Sequence, residues 1–239
     1  MSRFQDNDDP RRRLLLQALA AGLFTVGLPS RRVDADVLGK VPGPLPAGRS
    51  IYDIEGEVKV NGVLATIDTR IGPTDTVETG KNGRIVFVVG KDSFMVRSDS
   101  KLVLKGERGL IETLQLLTGR VLSVFGKSRH QLRTPSAIVG IRGTGIYTEA
   151  DPDETYLCNC YGVVDIYGSN DPDSHETIES RHHDKPRYIT TRATAGQRIR
   201  PAGFKQHTDA ELMVLEALVG RTPPFVFSGD DYGSPRREY

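Results

Sequence analysis

Arg84-Ile85-Val86-Phe87-Val88-Val89, followed by Gly90-Lys91-Asp92 and then Ser93-Phe94-Met95-Val96, is the stretch that decides the fold. Side chains alternate across an extended chain, so Ile85, Phe87 and Val89 share one side, with Val86 and Val88 on the other. Both sides are apolar, which reads as a strand covered on both faces. Phe94 and Val96 alternate with Met95 and Arg97, Leu102 and Leu104 with Val103 and Lys105, and Val121, Ser123 and Phe125 with Leu122 and Val124. Turn signals separate the runs: Asn61-Gly62, Lys81-Asn82-Gly83, Gly90-Lys91-Asp92, Lys105-Gly106 and Gly126-Lys127. Asn-Gly suits the positive backbone angles of a two-residue hairpin turn. Short strands with frequent turns from Ile51 to about Ile199 predict an all-β, antiparallel-rich sandwich, roll or β-solenoid-like domain. Leu110 to Leu117 is the one stretch in this region read as a short helical turn.

The composition agrees with a globular chain. Of 239 residues, 37% are hydrophobic and 26% charged, with 25 glycines and 14 prolines. That is too apolar for wholesale disorder and rich in turns. A net charge of +1 lacks the basic surplus a nucleic-acid binder needs to neutralise phosphates. Two cysteines do not make a disulfide-stapled miniature.

A second group of segments carries a family likeness. Gly56-Glu57-Val58 with Val60 and Gly62 leads to Gly72-Pro73-Thr74-Asp75-Thr76-Val77-Glu78-Thr79-Gly80 and the strand after Gly83. Further on stand Thr134-Pro135-Ser136-Ala137-Ile138-Val139-Gly140-Ile141-Arg142-Gly143-Thr144 and, later, Cys160-Tyr161-Gly162-Val163-Val164-Asp165. Over Gly56 to Tyr167 the chain resembles the FecR domain family, most specifically in the Thr-Pro…Arg-Gly-Thr signature. The resemblance implies an all-β, extracytoplasmic, non-enzymatic domain for sensing, envelope signalling or protein contact. It does not extend to the cytoplasmic anti-sigma region of such regulators, since some 13 residues precede the first apolar run. Read without the family, Pro135 holds Thr134 extended, and Gly140, Gly143 and Gly145 permit bulges or close backbone approach. Arg142 is read as pinning this turn through a carboxylate or carbonyls rather than as an anion binder.

Cys158 and Cys160 are two apart in a strand-like context, Thr155 to Tyr161, so both sulfurs project from one face. Their spacing of roughly 6.6 Å lies at the upper edge of what a disulfide accepts. Three states stay open: a strained disulfide, a metal site and unligated thiols. For the metal, Cys158, Cys160, His182 and His183 form the candidate ligand set, with His207 as an additional ligand. Two Cys and two His satisfy a tetrahedral transition metal such as zinc. Because His182 and His183 are adjacent, both can ligate only from a loop. The run His182-His183-Asp184-Lys185-Pro186-Arg187-Tyr188 also invites an acid–base reading, but sequence neighbours are not a dyad. His130 and His175 read as exposed.

The ends complete the layout. Arg11, Arg12 and Arg13 precede a 15-residue apolar run, Leu14 to Leu28, shorter than the roughly 20 residues of a membrane helix. Residues 1–35 therefore read as a twin-arginine export signal, with an uncleaved inner-membrane anchor or a cytosolic amphipathic segment as alternatives. A periplasmic location, or one anchored to the inner membrane and facing the periplasm, follows, with an envelope protein as partner. Residues 36–50, with Pro42, Pro44 and Pro46, read as a stiff linker, and 51–205 as the β-domain with its Cys/His extension. Within 206–227, Thr208-Asp209-Ala210-Glu211 is a capping box opening a docking helix to about Val219, with Gly220 beyond it. Phe225-Val226-Phe227 is read as covering a sheet edge, and 228–239 as a mobile tail.

Overall fold

The computed structural model describes residues 42–225. The export segment, the start of the linker, Val226-Phe227 and the tail lie outside the described residues. No helix among the described residues is long and apolar enough to cross a membrane.

The described chain is a β-domain with one C-terminal helix. Its strands are β1 (Ile51–Glu55), β2 (Val58–Val60), β3 (Val63–Leu64), β4 (Thr76–Thr79), β5 (Arg84–Val89), β6 (Asp92–Val96) and β7 (Ser100–Glu107). Then follow β8 (Leu110–Val124), β9 (Arg129–Arg133), β10 (Ala137–Ala150), β11 (Glu154–Gly168), β12 (Asp171–Ser180), β13 (Arg187–Thr190), β14 (Ile199–Pro201) and helix α1 (Asp209–Leu218). Main-chain pairing runs β14-β13-β11-β10-β9-β8-β7-β4-β2-β3, with β1, β5 and β6 joined through β6–β8 and β12 through β11.

Three long strands organise this sheet. β8 pairs with β7 over its first part and with β6 and β10 over Val121–Val124. β10 pairs with β9 over Ile138–Arg142 and with β8 over Gly145–Ala150. β11 pairs with β13 near its start and with β12 near its end. All of these strands belong to one 14-stranded sheet, whose larger core includes Ile85, Phe87, Phe94, Leu104, Val139 and Ile166.

The alternation of β5 works on both sides: Ile85, Phe87 and Val89 enter that core, while Val86 enters a second apolar cluster. Asn61 and Gly62 adopt φ of 52° and 81° and close the β2–β3 hairpin between Val60 and Val63. Three local expectations are corrected. Leu110 to Leu117 is extended in β8, because Ile111, Leu114 and Leu116 are needed in the core. Lys105-Gly106 lies inside β7 at a register shift, where a Cβ on Gly106 would sit 2.0 Å from the Leu110 carbonyl oxygen; the turn falls at Arg108-Gly109. His130 is buried, with Nδ1 2.7 Å from the Ile111 carbonyl and Nε2 2.6 Å from Ser128 Oγ. His175 is exposed and stacks on Tyr167.

Helix α1 starts at a complete capping box, in which Thr208 accepts from the Glu211 amide and Glu211 from the Thr208 amide. Leu212, Leu215 and Leu218 pack on the outer sheet face beside Val86, Met95, Leu122, Val124 and Tyr147. Burial is worth about 1.5–3 kcal/mol per leucine. Residues 42–50 do not stand free: Leu45 joins this cluster, and its amide donates to the Leu218 carbonyl.

Candidate metal centre

β11 carries the cysteines into the second cluster. Opposite it, Tyr147 faces Cys158 and Ile146 faces Asn159, but Gly145 faces Tyr161. Cys160 is therefore the extra residue of a bulge, which re-aims the side chains that follow. Cys158, Cys160 and Tyr161 all point to the side covered by α1. A Cβ on Gly145 would meet the Tyr161 ring at 2.6 Å, so the glycine leaves room for that ring.

His183 arrives from the loop between β12 and β13. Its amide donates to the Cys160 carbonyl (2.9 Å), and its φ of 53° turns the ring inward. Asp184 shapes the loop by accepting from the Arg181 and His182 amides. His207 comes from the segment between β14 and α1, after Gln206 at φ 43°, and its ring stacks on Tyr147 with centroids 4.6 Å apart.

Four donor atoms converge. Cys158 Sγ lies 3.4 Å from His183 Nδ1, Cys160 Sγ 3.3 Å from His207 Nε2, and the two imidazole nitrogens are 3.0 Å apart. All four donors fall within 4.8 Å of one another, and all four residues are buried. Around a tetrahedral zinc ion, nitrogen–nitrogen separations are about 3.3 Å and nitrogen–sulfur separations about 3.6 Å, from bond lengths near 2.05 and 2.3 Å. The measured separations match within a few tenths of an ångström.

The outer nitrogens are tied down. His207 Nδ1 donates to the Lys205 carbonyl at 2.6 Å, and His183 Nε2 faces the Asp209 carboxylate at 3.1 Å. A carbonyl and a carboxylate only accept, so each outer nitrogen carries hydrogen and each inner nitrogen is left to bind. Hydrogen bonding from the Cys160 thiol, against burial and with help from His183 and His207, brings Cys158 down to about 4. Burial, reinforced by Cys158, pushes Cys160 well above its ordinary value. Burial disfavours a charged His183, but Cys158 and Asp209 outweigh it and raise its pKa. Burial likewise opposes ionisation of Asp209, yet His182 and His183 hold its pKa low.

The candidate residues are thus divided by the structure. Cys158, Cys160 and His183 come together with His207, whereas His182 lies outside the four-donor group. Its Nε2 is 2.9 Å from Asp209 Oδ1, and its ring packs near Phe225. Asp209 is the residue that sequence reasoning did not single out at the centre; its signal was its place two residues after His207, as the first residue of α1. The signature residues serve the sheet. Gly143 and Thr144 lie at the register shift between Arg142 and Gly145, Thr134 Oγ1 accepts from the Ala137 amide beside Pro135, and Arg142 bonds Asp165 across the strands. An open cleft of about 620 Å³, lined in part by Pro44, Arg49, Arg70 and Leu218, contains none of the four donors.

No protein-family model matches the sequence, and no curated protein matches it. Two crystal structures of a "putative anti-sigma factor" from Parabacteroides distasonis ATCC 8503 show a partial likeness. They share 9% and 10% identity, with TM-scores of 0.43 and 0.44 over 53% of this chain. The matched part spans 58% of the length of those chains. A likeness of that extent assigns neither family nor activity.

Proposed function

We propose that the chain is a non-catalytic β-domain protein holding a transition metal of the zinc class through Cys158, Cys160, His183 and His207. One observation carries this reading. Two imidazoles whose outer nitrogens are committed to acceptors turn their inner nitrogens toward each other at 3.0 Å, between two buried sulfurs. Donor atoms this close need a proton or a cation between them, and a soft cation bound by all four donors meets that need for every one of them at once. Four protein ligands complete a tetrahedron and leave no open position for water, as in structural rather than catalytic zinc sites.

Metal analysis of the full chain purified from zinc-supplemented cells tests the assignment. One equivalent of metal, lost in both Cys158→Ser and His207→Ala, is expected. A metal-free protein with two titratable thiols and no tight zinc binding would overturn it.

For the surrounding domain we propose protein contact in an extracytoplasmic compartment, the role that the FecR-type motifs imply. Val63 and Leu64 favour it: they are 70% and 66% exposed on β3, which ends the strand order among the described residues. An exposed apolar strand edge is a surface for partner pairing. Site-specific crosslinking from Leu64 in the envelope fraction should yield one discrete adduct that Val63→Lys abolishes. Adducts unaffected by that change would count against the edge as the contact.

A further inference from the structure

Resting on that metal reading, we propose that the ion is a clasp: its binding and the docking of residues 202–219, including α1, on the sheet are one linked equilibrium. The ligands are unequal in what holds them. Cys158 and Cys160 belong to β11, where Cys158 pairs with β10 in the middle of the sheet. His207 belongs to a segment without regular structure, immediately before the N-cap Thr208. Asp209, the first residue of α1, faces His183, which coordinates from the other side of the centre. The start of the helix is therefore fastened to the centre through two residues that flank the cap.

The helix needs such an anchor. It has 10 residues, too few to be stable alone in water. Its leucines enter the second cluster, whereas the larger core contains no residue of α1. The other polar ties to α1 are His182 to Asp209 at 2.9 Å, Arg97 to Glu211 at 2.8 Å, the Leu45 amide to Leu218, and the Tyr161 and Arg221 bonds to Glu216. Against docking stand the left-handed backbones of His183 and Gln206, neither of them glycine, a conformation unfavourable for residues bearing a Cβ. An ion that needs both imidazoles holds these conformations in place. Its removal leaves a short helix, two strained turns and an intact inner core, so the outer segment should release by itself. By linkage, whatever loosens the helix must weaken the ion by the same factor.

Hydrogen exchange of the full chain, with zinc alone as the probe ion, tests the clasp. Amides in 204–219 should exchange at least about ten-fold faster after chelation, those in 102–116 should change by less than about two-fold, and added zinc should restore protection. Leu215→Asp, which replaces none of the four ligands, should weaken zinc binding by about ten-fold or more in competition with a chromophoric chelator. Glu211→Ala, which removes the capping box and the Arg97 pair, is the milder variant if Leu215→Asp fails to fold. Zinc bound with equal protection of 204–219 in both states overturns the clasp and leaves the metal site standing. Chelation that also deprotects 102–116 overturns it too, because the ion would then hold the whole domain. Absence of zinc binding, checked by metal analysis and cobalt(II) absorption, removes the metal reading and the clasp with it.

Discussion

Asp209 Oδ1 stands 3.1 Å from Nε2 of His183, so the first residue of helix α1 sets the tautomer of a ring in a loop 26 residues earlier. Carboxylates placed behind metal-bound histidines orient the ring and raise its basicity. Asp209→Asn should therefore weaken zinc binding by about ten- to a hundred-fold, while the folded protein still takes up one equivalent at saturation. His182 bonds the same carboxylate oxygen but is not one of the four donors, so His182→Ala should keep metal stoichiometry unchanged. Competition titrations on the two variants make the comparison.

Tyr161 supplies a second check on the packing behind the centre. Its hydroxyl donates to the buried Glu216 carboxylate, whose other oxygen accepts from Arg221 at 2.5 Å. Burial and the Glu216 charge keep this hydroxyl protonated far above the usual tyrosine range. Tyr161→Phe should cost about 1–3 kcal/mol, the penalty of depriving a buried acceptor of its donor. Urea denaturation at fixed zinc measures it.

Acid sensitivity should have a local source away from the metal. Asp171 accepts from Ser174 Oγ at 2.7 Å and from the Gly196 amide at 3.0 Å, with Arg198 at 3.1 Å. Those bonds, led by Ser174, hold its carboxyl below the ordinary value of 3.8. The folded state thus binds fewer protons than the unfolded state, and the stability gained is complete above 3.8 and lost as pH falls through the lower folded value. Asp171→Asn should lower the urea midpoint at neutral pH and flatten its decline in acid. Equal acid slopes for the two proteins would refute the assignment.

The Arg-Gly-Thr signature should respond unevenly to substitution. The Arg142 side chain is 65% exposed and meets Asp165 at 2.8 Å. Exposed ion pairs contribute little, so Arg142→Ala should cost no more than about 1 kcal/mol. Gly145→Ala places a methyl against the Tyr161 ring and should cost about 1–3 kcal/mol, with loss of near-ultraviolet tyrosine dichroism. Thermal and urea unfolding distinguish the two.

Much of the fold was legible because its cues are local. The alternation of β5 placed Ile85 and Val86 on opposite sides, Asn61-Gly62 closed a hairpin, and Thr208 to Glu211 opened a helix. Each depends on backbone geometry over a few residues. Leu110 to Leu117 misled, since its apolar residues fit a helical turn until the strands beside it claim Leu114 and Leu116. Gly106 misled for a related reason, as its missing side chain admits a neighbouring carbonyl rather than a turn.

The order of residues by itself determined that Cys158 and Cys160 share one face of a strand and that histidines follow them in less regular chain. Only the tertiary structure decided which imidazoles meet the sulfurs. His207, 47 residues after Cys160, takes the place beside it that adjacency had offered to His182, and a bulge at Cys160 directs the second sulfur. Pleating repeats every two residues and helices every 3.6, so sequence periodicity specifies faces. Convergence of four donors on one point depends on bulges, left-handed turns and the docking of α1, which no short-range period encodes.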